Sequence, residues 1–229
     1  AKLPMRYSEG LSPHQIMSFA LPLSVGATSD GEYLDMSLTS ELPPAGIVTA
    51  LNRVMHEGIE AKACELLPEH APKAMTVIAA AKYRLILRDH AILSLYGTEG
   101  CGESDPSEEE TSSSESMLAG DESLSALRLR FAQEFRAHLS GQELMVVKKT
   151  KKGEQQLDIR PLIHEYTLEE DGTLEALLHA GSKDHVKPAL LYESFFAARG
   201  RSFDASMLVI HRMDLYEETE NGGFRPLIG

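Results

Sequence analysis

SLSALRLRFAQEFRAHL, residues 123–139, decides the fold. Leu124, Leu127, Phe131, Phe135 and Leu139 recur at steps of three and four, with Asp121 or Ser123 to cap the start and Gly141 just past the end. The stretch therefore reads as a helix about 25 Å long with one apolar stripe. Beyond it the period changes. Residues 143–150 and 154–159 flank Lys151-Lys152-Gly153, and residues 162–168 and 174–180 flank Glu170-Asp171-Gly172, so each pair reads as a hairpin. Residues 187–199 form a second helix, sending Leu190, Leu191 and Phe195 toward a core and stopping at Gly200. Residues 207–216 close the chain as a strand with Leu208, Ile210 and Arg212 on one face.

Working backward, Tyr83-Arg84-Leu85-Ile86-Leu87 alternates as a strand, preceded by a helix-compatible Ala79-Ala80-Ala81. The order strand, helix, strands, helix, strand is the split βαβ, or ferredoxin-like, plan with an extra hairpin. Residues 1–72 show short strand pieces and an alternating strand over 32–38. A helix with Ile47, Val48, Leu51, Val54 and Met55 in one stripe follows, and then a strand over 59–66. That is the same plan without its opening strand and helix, and the start at Ala1-Lys2-Leu3-Pro4 reads as the tail of an interrupted element. The expected class is α+β with two ferredoxin-like halves. Residues 1–72 form the partial first half and 73–97 the first strand of the second. Residues 98–122 form an acidic linker and 123–229 the remainder of the second half, with Pro68 and Pro72 as the hinge.

Composition sets the bounds. A chain of 229 residues can bury roughly 70% of its unfolded surface, enough for a core without staples. Cys64 and Cys101 are too far apart for a C-x-x-C site and suit a reducing compartment. With no signal-like start and no long apolar run, the expected location is cytoplasmic, without a membrane partner. The net charge of −13 is unevenly spread: residues 98–122 hold 9 acids and no base, while the flanking parts are nearly balanced. The acidity thus says little about the folded surfaces. The run SDPSEEETSSSES within that segment has almost nothing to bury and reads as a disordered linker, with a phosphorylated acidic switch as the alternative.

Residues 7–36, YSEGLSPHQIMSFALPLSVGATSDGEYLDM, are the densest run of special residues. Tyr7-Ser8-Glu9-Gly10, Ser12-Pro13-His14, Ser18-Phe19-Ala20, Pro22-Leu23, Gly26 and Glu32-Tyr33-Leu34-Asp35 resemble the signature of the radical SAM-linked protein family, a bacterial domain of unknown function. The resemblance continues through Leu157-Asp158-Ile159-Arg160-Pro161 and Arg212-Met213-Asp214-Leu215-Tyr216. Leu11, Ser12 and Gln15 stand where an aromatic, an Asn and a Pro are commoner. The family's N-terminal strand and helix, with a His-Leu-Asp motif, have no counterpart. The resemblance implies a radical SAM enzyme as partner. The chain has no CxxxCxxC and so cannot itself hold the cluster such chemistry needs.

His14 is the candidate acid, base or anion ligand, set in a turn with Tyr7, Ser8, Gly10, Ser12, Pro13 and Ser18 around it; the bland alternative is an imidazole that only bonds the turn's backbone. Lys148, Lys149, Lys151 and Lys152, with Arg160 nearby, form the basic cluster, suited either to gripping RNA phosphates or to protecting a hairpin edge. His179, Asp184 and His185 are a weak metal grouping, and neither a metal nor a cofactor is expected. The functional expectation is a binding or adaptor module that recognises RNA or a protein substrate. The alternative is an RNA-acting enzyme with His14 as general acid or base.

Overall fold

A computed structural model describes residues 1–97, 123–150, 153–181 and 185–228. The strands are β1 (Met17–Phe19), β2 (Thr28–Ser29), β3 (Leu34–Met36), β4 (Ile78–Leu87), β5 (Met145–Thr150), β6 (Gly153–Asp158), β7 (Ile163–Leu168), β8 (Leu174–His179), β9 (Leu208–Glu218) and β10 (Phe224–Pro226). The helices are α1 (Pro44–Asn52), α2 (Ala74–Val77), α3 (Asp89–Tyr96), α4 (Leu124–Leu139) and α5 (Ala189–Ala197). The chain is a mixed α+β protein.

The principal sheet runs β10-β9-β4-β8-β7, with β2 attached to β9. Every pairing along this path is antiparallel, whereas β2 lies parallel to β9. Alternation along β4 buries Ala81, Tyr83, Leu85 and Leu87, while Lys82 and Arg84 point to the other face. Leu174, Ala176 and Leu178 of β8 join them, and α3, α4 and α5 cover this face with Ile92, Phe131, Phe135, Leu191, Tyr192 and Phe195. Each large side chain so buried contributes about 1.5–3 kcal/mol. The stripe read in residues 123–139 is the one that packs, and the Ser123 hydroxyl accepts from the Ala126 N–H at 3.2 Å as its cap.

Three local expectations need correction. The alanines 79–81 are strand, with Ala80 and Ala81 paired to both β8 and β9 and wholly buried. Residues 59–66 form no strand: the Asn52 side chain takes both the N–H and the C=O of Ala61, and most of the segment is exposed. Residues 89–96, read without a helix, form α3, whose buried Ala91, Ile92 and Leu95 recur at helical spacing.

Residues 1–72 do not build a sheet like the principal one. β1 and β3 make a separate ribbon, and β2 leaves it to join β9. β5 and β6 also pair only with each other. The acidic segment 98–122, Lys151, Lys152 and Asp184 lie outside the described residues.

Candidate functional site

His14 sits at the end of a small hairpin. The Ser8 N–H donates to the His14 carbonyl at 2.8 Å and the Ile16 N–H to the Arg6 carbonyl at 2.9 Å. Gly10 turns the chain at φ +124°, in the region that favours glycine. Ser8 Oγ then meets the imidazole Nδ1 at 2.9 Å and accepts the His14 N–H at 3.1 Å, while Gln15 Nε2 donates to the Tyr7 hydroxyl at 3.3 Å. The hairpin thus brings Tyr7, Ser8 and His14 together. Ser12 and Pro13 are exposed on the connecting turn, and Ser18 lies apart, in β1 opposite Asp35. His14 is solvent-facing with one hydroxyl neighbour and no carboxylate bonded to it among the described residues. This arrangement presents a side chain to a partner better than it assembles acid–base chemistry.

The basic residues are elsewhere. Lys148 and Lys149 lie on β5 opposite Gln155 and Glu154. The Arg160 guanidinium lies 6.0 Å from the centre of the Tyr166 ring. The Asp158 carboxylate accepts from the Leu144 and Arg160 N–H groups at 2.8 and 3.0 Å, bonds that hold it below the usual carboxylate range. Asp158 and Arg160 therefore close the base of the β5-β6 hairpin.

The densest polar constellation joins residues 28–33 to β9. An extra residue, Met213, interrupts β9: Tyr83 faces Arg212 while Lys82 faces Asp214. Arg212, only 2% exposed, donates through Nε to Glu32 Oε1 at 2.8 Å and through Nη2 to Glu32 Oε2 and to the Leu21 carbonyl. The Tyr33 hydroxyl donates to Asp214 Oδ1 at 2.7 Å, and burial together with that carboxylate pushes the phenol well above its ordinary value. His211 bridges two neighbours: Nδ1 meets Thr28 Oγ1 at 2.8 Å and Nε2 meets Asp30 Oδ2 at 2.9 Å. The His211 contact lowers the Asp30 pKa. Gly31 lies so close that a Cβ there would stand 2.6 Å from Asp214 Oδ1. Glu32 and Tyr33, paired with Arg212 and Asp214, thus fasten the N-terminal region to the sheet. The sequence signal was present: Arg212 alternates onto the face of Leu208 and Ile210, and an arginine there needs a carboxylate. Which carboxylate depends on a contact across 180 residues of sequence.

Among the described residues no group of three or more His, Cys, Asp or Glu side chains is arranged to hold a metal ion. No described helix is long and apolar enough to cross a membrane.

These features describe a mixed α+β domain with an exposed N-terminal ribbon fastened to a helix-backed sheet. A family model described as an uncharacterized protein conserved in bacteria (DUF2344) matches residues 1–188, and the chain belongs to that family. The match stops before β9, so Arg212 to Tyr216 lie beyond it. No curated protein and no solved structure matches the chain.

Proposed function

We propose that this protein is a non-catalytic binding module that docks a partner protein through its N-terminal ribbon, the partner being the radical SAM enzyme implied by the resemblance. The observation that carries this reading is the exposure of large apolar side chains along one short stretch. Tyr7, Leu11, Met17, Phe19, Leu23 and Val25 all face solvent within residues 7–25. Apolar surface gathered in one region is characteristic of protein-binding surfaces. The strand order β9-β4-β8-β7, with α3 and α4 following β4 and α5 preceding β9, supports reading residues 73–228 as one ferredoxin-like unit that carries the ribbon.

RNA recognition and His14 acid–base catalysis have less support. Lys82 and Arg84, cations on the sheet face away from the helices, both approach Glu175, at 3.9 and 2.7 Å. His14 has Ser8 as its side-chain partner. Immobilised full chain exposed to a native bacterial extract should retain a radical SAM enzyme, identified by mass spectrometry, and should lose it when Met17 and Phe19 are both replaced by Ser. Retention of nucleic acid alone, or retention indifferent to that double substitution, overturns the reading.

A further inference from the structure

The ribbon has an open backbone edge as well as an apolar face. Its register pairs Met17 with Met36, Ser18 with Asp35 and Phe19 with Leu34. Just outside the ladder, the Ser37 N–H donates to the Ile16 carbonyl and the Ala20 N–H to the Tyr33 carbonyl. The hydrogen-bonded positions of β1 are therefore residues 16, 18 and 20. In an antiparallel pair the intervening residues turn their N–H and C=O groups the other way. Those residues are Met17 and Phe19, and no described group bonds their backbone. Their side chains stand 45% and 54% exposed, whereas Ser18 between them is half-buried.

Chains usually blunt such an edge with charge or proline. The principal sheet does so: its outer strand β7 carries His164 and Glu165 and runs into Glu169-Glu170, and β10 carries Arg225 and Pro226. Residues 4–6 pair with residues 37–39 beyond the end of β1, through Arg6 N–H to the Ser37 carbonyl and Thr39 N–H to the Pro4 carbonyl. Residues 15–21, QIMSFAL, contain neither charge nor proline.

We infer that the edge of β1 accepts an extended segment of the partner protein as an added strand, Met17 and Phe19 supplying backbone bonds and apolar contact. The inference rests on the ribbon being the binding surface and adds what binds there. Free N–H and C=O groups at alternate residues fit an extended backbone, and flanking Met and Phe side chains fit apolar residues at alternate positions of it. Neither feature fits a phosphate or a sugar.

The test selects binders from a phage-displayed random peptide library on the full chain, then follows amide hydrogen exchange with a selected peptide bound. Selected peptides should carry apolar residues at every second position and should slow exchange at Met17 and Phe19 by at least about tenfold. Met17→Pro removes an N–H that the fold leaves unused and should weaken binding by about three- to tenfold, the net worth of one backbone hydrogen bond. An unchanged circular dichroism spectrum checks that this variant folds, and the exchange experiment on the unaltered chain decides the matter where it does not. Peptides that protect the residue 7–15 hairpin but leave Met17 and Phe19 unchanged overturn the added strand while sparing the binding surface. Failure to select any peptide, with no partner retained from extract, overturns both. Protection of Met17 and Phe19 that rises with protein concentration alone, with dimers in sedimentation, replaces the partner strand by a second copy and overturns the inference.

Discussion

The principal sheet and the N-terminal ribbon use alternation in opposite senses. Along β4 the apolar residues Ala81, Tyr83, Leu85 and Leu87 are buried and the charged Arg84 is exposed. Along β1 the apolar Met17 and Phe19 are exposed and the polar Ser18 is the more buried. The sheet's pattern is explained by the helices packed on it. On the ribbon, α2 lies beside β1 and the Ala74 N–H bonds Asp35 opposite Ser18, but no described element buries Met17 and Phe19, which is why the ribbon carries the proposed function. The two regions are joined where residues 28–33 meet β9, through the β2-β9 pairing, His211 with Thr28 and Asp30, Glu32 with Arg212 and Tyr33 with Asp214.

The largest expected effect tests the sheet side. Phe135 stacks on Phe131 at 5.2 Å and meets Tyr192 and Phe195 at 4.8 and 5.0 Å, with no exposure. Phe135→Ala should lower unfolding free energy by about 3–5 kcal/mol in urea titration. A cost near 1 kcal/mol or less would mean the helix layer is looser than the sheet it covers.

The next effect tests the junction. Arg212→Ala strands Glu32, and removing one partner of a buried pair costs about 3–5 kcal/mol. Glu32 retains 28% exposure, so water recovers part of its charge and the lower end, about 3 kcal/mol, is expected. Glu32→Ala in the same background should add little, because the two residues share one interaction. Additive losses would show that Arg212 acts through Tyr83 and Leu21 instead.

How legible was this in the sequence? Elements with a period were readable: the α4 stripe, both hairpins, α5 and β9 follow from the spacing of Leu, Phe and Gly. Among the misread segments, residues 89–96 carry only a short helical period and the others lack a decisive one. Three alanines suit a helix and a tightly packed central strand equally, and only the neighbours β8 and β9 decide. The site was half legible. Residues 7–36 stood out, and the hairpin does join Tyr7, Ser8 and His14. Glu32, Tyr33, Arg212 and Asp214 attracted notice as motif residues, yet their pairing is a long-range contact that no local pattern encodes. The exposure of Met17 and Phe19 was illegible, since an apolar residue looks the same in sequence whether it faces a core or a partner.

Two smaller effects lie outside the ribbon, one in the helix layer and one at the base of the β5-β6 hairpin. The Tyr192 hydroxyl is wholly buried without a hydrogen-bond partner among the described residues, and its ring is already held by Phe131, Phe135 and Phe203. Tyr192→Phe keeps the ring and removes the orphan group, so it should stabilise by about 1 kcal/mol in the same titration. Asp158 gives a pH signature. Its carboxyl is held below the ordinary 3.8 by backbone N–H groups, so its contribution is full above that value and is lost as pH falls through the lowered one. Unfolding midpoints of the wild type and Asp158→Ala should differ at neutral pH and converge only as pH falls below the ordinary carboxyl range. A constant gap would mean the hairpin base does not depend on that charge.

The smallest expected effect bears most directly on the contrast. Phe19 has the size of Phe135 and lies on a strand, yet it is outside the buried core and 54% exposed. If its role is contact with a partner, the isolated chain should hardly register its loss, and Phe19→Ser should change unfolding free energy by no more than about 0.5 kcal/mol. A gain in solubility should accompany the change, since an exposed aromatic on an unpaired edge invites association. A cost above about 2 kcal/mol would place Phe19 in a core of this chain. The inverted alternation of β1 would then be a packing feature, and the docking surface would have to be sought elsewhere.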